Sequence, residues 1–250
     1  MKQDFIGAEY KSEKVFWDKG PDNSKDYVKN KIKLGRDWYY FDRKISYKYN
    51  SNGFREKEFS TVDWENSIVI LGCSNVLGIG LVLEDNLSNV LEKMIGIPVV
   101  NLGISGSAVD HACWNSLVLH ENYPTPKAVA QIWSSTKRYT DFLPVGQVRA
   151  TYEIFGEEMC PSNVQPFKDH YCAKHTWDLR SKFYVEADRA LWKNKTAYVE
   201  ASFFEHSAKE LDVTWVDEVD KARDFNHPGV QTIKNMAEVI ADKLNKQGVK

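Results

Sequence analysis

The chain has 250 residues, 42% of them hydrophobic and 13% aromatic, which is enough to fill the core of one large domain or two small ones. Its formal net charge is -2 and no block of lysine and arginine stands out, so nucleic acid is not an expected partner. Because no apolar stretch approaches membrane-spanning length and no secretion signal is recognised, we expect a cytoplasmic protein with free thiols at its four cysteines.

Residues 1–60 are polar and rich in lysine, aspartate and aromatic side chains, which is typical of an arm or cap. A helix is expected over 25–34. The aromatic runs at 38–41 and 45–49 predict two edge-type strands. We therefore expect an N-terminal arm that packs on a larger domain formed by residues 61–250.

From residue 67 onward, apolar strand patterns alternate with helix patterns. Strands are predicted at 67–71, 99–103 and 128–133, with helices over 87–95 and 108–120 between them; Asn86 or Asp85 is the candidate cap for the first of these helices.

The stretch from about 140 to 193 is less regular and ends in a predicted helix from about 168 to 192. Two more strands are predicted, at 197–203 and 213–216, before a closing helix over 228–244. Strands that alternate with helices in this way predict a parallel sheet covered on both faces. We therefore expect a three-layer α/β/α fold of the flavodoxin-like type.

Ser74 follows the first strand directly, at the sheet edge where open α/β folds bind ligands. Nucleophilic acyl chemistry needs a hydroxyl, a base and a group that orients the base. His227 is the candidate base, and Asp224, three residues earlier in the same loop, is the candidate orienting carboxylate. The pattern predicts a Ser-His-Asp triad formed by Ser74, His227 and Asp224.

Four short blocks, in order along the chain, resemble those of the SGNH (GDSL-type) hydrolase family. They are N-S-N-G-F-R at 50–55, G-C-S-N-V-L-G at 72–78, N-L-G at 101–103 and D-F-N-H-P-G at 224–229. The resemblance implies an esterase that acts on acyl or acetyl esters of carbohydrates or lipids, with the same three triad residues and no cofactor. It also implies that the N–H of Gly103 helps to hold the oxyanion, together with the N–H of Ser74.

Three positions depart from the family pattern. Cys73 stands where the family has Asp, Val76 where it has Thr, and Thr136 where it has the asparagine whose amide donates to the oxyanion. The Thr136 hydroxyl could donate in place of that amide, although with a shorter reach. Two alternatives therefore stay open: a catalytically impaired binding or structural protein with this fold, and an acyltransferase that uses the same triad.

The sequence also contains residues that other kinds of site would use. Cys73 is a candidate thiol nucleophile beside Ser74. His170, Cys172 and His175 could suggest zinc, but their spacing does not place them on one helix face, so no metal is expected. The chain completes neither G-x-S-x-G nor a dinucleotide-binding glycine motif, so we expect no usual α/β-hydrolase elbow and no nucleotide cofactor. The family resemblance implies a small-molecule or carbohydrate ester as the substrate.

Overall fold

The computed structural model describes residues 4–8, 13, 15–16, 22–142, 148–153 and 174–250. The strands in this part of the chain are β1 (Ile68–Gly72), β2 (Val99–Gly103), β3 (Ala128–Trp133), β4 (Arg138–Phe142), β5 (Val148–Glu153), β6 (Ala197–Ser202) and β7 (Thr214–Trp215). A parallel sheet forms in the order β2-β1-β3-β6-β7, whereas β4 and β5 pair antiparallel. The carboxyl ends of β1, β2, β3 and β6 therefore meet at one edge.

The described helices are α1 (Ser24–Leu34), α2 (Ser74–Leu77), α3 (Leu87–Ile95), α4 (Val109–Asn122), α5 (Lys174–Trp192), α6 (Glu205–Leu211) and α7 (Val230–Lys246). Of the two candidate caps of α3, Asn86 is the one that caps the helix, because its side chain accepts the Asn89 N–H; Gly96 ends the helix in the left-handed conformation. Among these helices, none combines the length and the apolar character needed to cross a membrane.

Alternate side chains of β1 point to opposite faces of the sheet. Ile68 and Ile70 pack with α3 and α7, whereas Val69 and Leu71 pack with α4 and with Trp192 of α5. All four strand residues are fully buried, as expected for a parallel sheet with helices on both faces. The predicted three-layer α/β/α fold is confirmed.

The two strands predicted in the arm are wrong. Residues 38–41 form turns, with the Phe41 N–H bonded to the Trp38 carbonyl, and residues 45–49 contain a single bridge residue. The aromatic side chains are buried for a different reason. Tyr40, Ile45 and Tyr47 join the same hydrophobic cluster as Ile68, so the arm covers the sheet with side chains and adds no strand to it.

The region after β3 also differs from the expectation. The β4–β5 hairpin and α6 were not predicted, because neither has a strong apolar repeat of its own. The predicted helix is described from Lys174 onward; residues 168–173, and with them His170 and Cys172, lie outside the described residues.

A buried carboxylic acid lies between α5 and β6, away from the edge that carries Ser74. Asp188 is fully buried, and its Oδ2 accepts a hydrogen bond of 2.6 Å from the Tyr198 hydroxyl. Burial raises the pKa of Asp188 to about 7, because the charged form loses its hydration. The folded protein therefore holds this proton more tightly than the unfolded chain does.

We expect Asp188→Asn to make the stability of the protein less dependent on pH. The folded-state pKa of Asp188 lies above its unfolded value of 3.8, so the wild type loses stability as pH rises from about 4 to about 7. The gap of about 3 pH units corresponds to at most about 4 kcal/mol in the free energy of unfolding. Urea unfolding at pH 5 and pH 8 measures the effect; a constant difference between variant and wild type at the two pH values would contradict it.

Candidate active site

Ser74 lies where β1 turns into a short helix. Cys73 is the extended residue before α2, Ser74 is the first residue of α2, and the Ser74 residue is 7% exposed. A Cβ atom on Gly72 would lie 2.7 Å from the Ile132 carbonyl oxygen, so a side chain cannot be accommodated there. The turn is therefore held tightly against the neighbouring strand.

The predicted base and its orienting carboxylate are in direct contact. His227 Nδ1 lies 2.5 Å from Asp224 Oδ2, and the other oxygen, Oδ1, accepts the backbone N–H groups of Asn226 and His227 at 3.2 Å each. The Asp224 side chain is fully buried and the His227 side chain is 12% exposed. This arrangement favours the tautomer with the proton on Nδ1, which leaves Nε2 as an acceptor.

The loop that follows Ser74 touches the loop that carries His227. The Ser74 carbonyl accepts the N–H of Ile79, and the next residue, Gly80, accepts the N–H of Arg223 through its carbonyl at 3.1 Å. A Cβ atom on Gly80 would lie 3.1 Å from Asp224 Oδ1. Within the described residues, Ser74 Oγ makes no hydrogen bond to His227. In enzymes, such a hydrogen bond often forms only when substrate binds.

Gly103 lies at the end of β2, directly behind α2. A Cβ atom on Gly103 would lie 2.4 Å from the Leu77 nitrogen, which belongs to the helix backbone. The N–H of Gly103, predicted as an oxyanion donor, donates to Asn101 Oδ1 at 2.8 Å. In this structure Gly103 allows the close approach of α2, and its amide is already hydrogen-bonded within the protein.

Gly106 is a second glycine in the loop after β2, and the sequence reasoning passed over it. Its φ is +73°, a conformation that favours glycine, and it is half-buried. Its N–H makes no hydrogen bond to any residue in the described ranges. The loop is anchored on either side, since the Ile104 N–H and the Ser107 hydroxyl both donate to the Gly72 carbonyl. The sequence offered one signal for this residue, namely a second glycine three positions after Gly103.

Thr136 follows β3 at the same edge, but its hydroxyl is directed to another partner. It donates to Glu210 Oε2 at 2.5 Å, and the Thr136 N–H donates to the Ser207 hydroxyl at 3.0 Å. Two residues earlier, the Ser134 hydroxyl is buried with no hydrogen-bond partner among the described residues. Gly72 of β1 pairs with Ile132 of β3 in the sheet. Ser74 and Ser134 each come two residues after this pair, so both follow their strands at the same edge of the sheet.

The first block of the family-like pattern ends in Arg55, which the sequence reasoning did not connect to the site. The Arg55 guanidinium is buried and donates to the backbone carbonyls of Ser46, Leu77, Gly78 and Leu81. The guanidinium carbon also lies over the Tyr47 ring, 4.7 Å from its centroid. Arg55 therefore fixes the backbone that leaves α2.

The described residues contain no cluster of three or more His, Cys, Asp or Glu side chains suited to a metal ion. Cys73 and Cys113 are free and buried.

We expect Gly103→Ala to displace α2, because the added methyl group would collide with backbone atoms that cannot rotate away. The cost is about 1–3 kcal/mol in the free energy of unfolding. The amide NMR signals of Val76 and Leu77 should shift. Gly96→Ala is the control for an added methyl group that meets nothing within 4 Å; its left-handed φ of +75° costs about 1–2 kcal/mol by itself, so the comparison rests on the Val76 and Leu77 signals, which should stay unchanged in that variant. Unchanged Val76 and Leu77 signals in Gly103→Ala would contradict this close packing.

No protein-family model matches the chain, and no curated protein matches it. Several solved structures are similar. A carbohydrate acetylesterase family member from Sinorhizobium meliloti has 12% identity and a TM-score of 0.43, with 72% of this chain and 98% of that chain covered. An acetyl xylan esterase from Butyrivibrio proteoclasticus has 12% identity and a TM-score of 0.48, with 75% and 65% covered.

A member of the lipolytic protein G-D-S-L family from Veillonella parvula has 10% identity and a TM-score of 0.40, with 72% of this chain and 96% of that chain covered. The solved structures that this chain resembles thus include esterases and lipolytic proteins of the G-D-S-L type.

Proposed function

We propose that the chain is a serine ester hydrolase with Ser74 as nucleophile, His227 as general base and Asp224 as the group that orients the base. The observation that carries the proposal is the contact of 2.5 Å between His227 Nδ1 and Asp224 Oδ2, in a loop that touches the backbone leaving Ser74. A buried carboxylate on one ring nitrogen prepares the other nitrogen to accept a proton.

The proposed reaction has two steps. Ser74 Oγ attacks the ester carbonyl carbon while its proton passes to His227 Nε2, which then donates that proton to the departing alcohol. A water molecule next attacks the acylated serine, loses a proton to His227 and releases the carboxylic acid as Ser74 regains its hydrogen. Asp224 remains ionised and stabilises the imidazolium in both steps.

For the oxyanion we propose the N–H groups of Ser74 and Gly106, with the Ser134 hydroxyl as a third donor. The absence of hydrogen bonds to the Gly106 amide and the Ser134 hydroxyl within the described part of the chain supports this choice. Gly103 and Thr136, expected from the family pattern, have other partners, Asn101 and Glu210. Removing one such donor typically costs about 100-fold to 1000-fold in kcat.

We propose acyl or acetyl esters of carbohydrates or lipids as the substrate class, which rests on the resemblance of the sequence blocks. An acyltransferase would form the same acylated Ser74 and differ only in the acceptor. Product analysis with sugar acceptors separates the two, because a hydrolase releases the free acid whether or not an acceptor is present.

We expect Ser74→Ala to reduce hydrolysis of p-nitrophenyl acetate to the background rate, because the variant has no hydroxyl to acylate. A serine-reactive phosphonate should label the wild type at one site per chain, seen by intact mass, and should not label the variant. Cys73→Ala is the matched control at the adjacent buried position and should retain both labelling and activity.

Equal hydrolysis by wild type and Ser74→Ala would overturn the proposal. Loss of labelling in Cys73→Ala with retention in Ser74→Ala would assign the nucleophile to the thiol. A wild type that neither hydrolyses the ester nor reacts with the phosphonate would favour the impaired, non-catalytic protein.

A pair of variants tests the oxyanion donors after β3. We expect Thr136→Val to leave kcat within about threefold, since its hydroxyl donates to Glu210, and Ser134→Ala to lower kcat at least about tenfold. Steady-state kinetics at a temperature at which both variants are folded measure the two kcat values. A large fall in kcat in Thr136→Val with Ser134→Ala unaffected would return the role to Thr136.

A further inference from the structure

We propose that Asp22, Tyr47 and Arg223 form a positioning unit that holds the loop after Ser74 in place against the loop that carries His227. This inference rests on the proposed function and assigns to the N-terminal arm a role in it. None of the three side chains is part of the triad, and each acts through its neighbours.

Tyr47 joins the arm to the loop after the nucleophile. Its hydroxyl accepts the Gly80 N–H at 2.8 Å and donates to Asp22 Oδ2 through a short hydrogen bond. Tyr47 is fully buried, and burial, followed by the nearby Asp22 carboxylate, raises its pKa well above the ordinary value. The hydroxyl therefore keeps its proton across the pH range of enzyme assays. Throughout that range it donates to Asp22 and accepts from Gly80.

Asp22 joins Tyr47 to the loop that carries the base. Arg223 donates to the Asp22 carboxylate twice, from Nε to Oδ1 at 2.9 Å and from Nη2 to Oδ2 at 2.7 Å. Both side chains are 1% exposed. Arg223 directly precedes Asp224, so this bidentate contact fixes the backbone beside the orienting carboxylate.

The contacts close into a ring. The Gly80 N–H bonds to Tyr47, Tyr47 bonds to Asp22, Asp22 bonds to the Arg223 side chain, and the Arg223 N–H returns to the Gly80 carbonyl at 3.1 Å. Gly80 is thus held through both of its backbone groups. A Cβ atom there would lie 2.8 Å from the Ala222 Cβ, which shows how closely the two loops approach.

A second contact ties the arm to the same loop. Phe225, between Asp224 and His227, has a φ of +59°, which is strained for a bulky side chain. Its ring stacks on Trp38 of the arm, with centroids 6.0 Å apart and an interplanar angle of 24°. The arm therefore supports the base loop on both sides of Asp224.

Stability alone does not account for a buried ring of this kind. A buried ion pair loses much of its attraction to the cost of desolvation, and apolar side chains of similar volume often serve stability equally well. What such a ring supplies is a fixed distance between two loops. Proton transfer from a serine to a histidine depends on that distance, since a displacement of about 1 Å can cost about 100-fold in rate.

The test compares Tyr47→Phe with Tyr198→Phe. Both changes remove a tyrosine hydroxyl that donates to a buried aspartate, but Tyr198 is half-buried and lies near the start of β6, away from the strand ends where Ser74 lies. We expect Tyr47→Phe to lower kcat and the rate of phosphonate labelling at least about tenfold with KM within about twofold. Tyr198→Phe should leave all three within about twofold at a similar loss of stability.

An equal fall of kcat in the two variants, or no fall in Tyr47→Phe, would overturn the positioning role. Should Tyr47→Phe fail to fold, Arg223→Lys replaces it, because it keeps a positive charge beside Asp22 and removes the bidentate contact; the same fall in kcat is then expected, and an unchanged kcat counts against the proposal.

A second readout does not depend on activity. The ring nitrogen NMR signals of His227 and the amide signal of Gly80 should shift in Tyr47→Phe and stay unchanged in Tyr198→Phe. If the wild type proves inactive but these shifts are found, the proposed hydrolase function fails and the linkage between the loops stands. If Ser74-dependent activity is present and the shifts are absent, the positioning unit alone is rejected.

Discussion

The close packing where α2 meets the ends of β1 and β2, and where β1 meets β3, is the constraint on which the site depends. Backbone atoms of Ile132 and Leu77 lie within 3 Å of where side chains at Gly72 and Gly103 would begin. With no side chains between them, the short helix packs directly on the strand ends, and Ser74 starts that helix at the edge of the sheet. The hydrogen bonds from Ile104 and Ser107 to the Gly72 carbonyl complete the same turn.

Much of the fold could be predicted because strands and helices of this kind carry their own signals. Fully buried apolar runs mark β1 and β3, and Asn86 with Gly96 mark both ends of α3. The contact between Asp224 and His227 was predictable for a similar reason. Two residues three positions apart in one loop are close in space whatever the rest of the chain does, so their contact depends little on long-range folding.

The partners of individual donors could not be predicted, since they depend on where other side chains turn. Asn101 folds back onto the Gly103 amide, and Glu210, which takes the Thr136 hydroxyl, belongs to a helix that the sequence pattern did not reveal. The arm was misread because aromatic residues favour strands on average, whereas here Tyr40 and Tyr47 are buried as parts of turns and extended chain. The Asn101 contact is local and depends on how that side chain turns, whereas long-range contacts decided the partner of Thr136 and the burial of the arm.

The pairing of Asp22 with Arg223 also bears on how the chain reaches its native state. The two residues are 201 positions apart, so their contact closes a very long loop, and such contacts are costly in chain entropy and form late. Until then, neither charge has its native partner, and burying either one alone is unfavourable. We expect the sheet and its helices to assemble first and the arm to dock last, so that the loops carrying Ser74 and His227 acquire their final spacing only in the last step of folding.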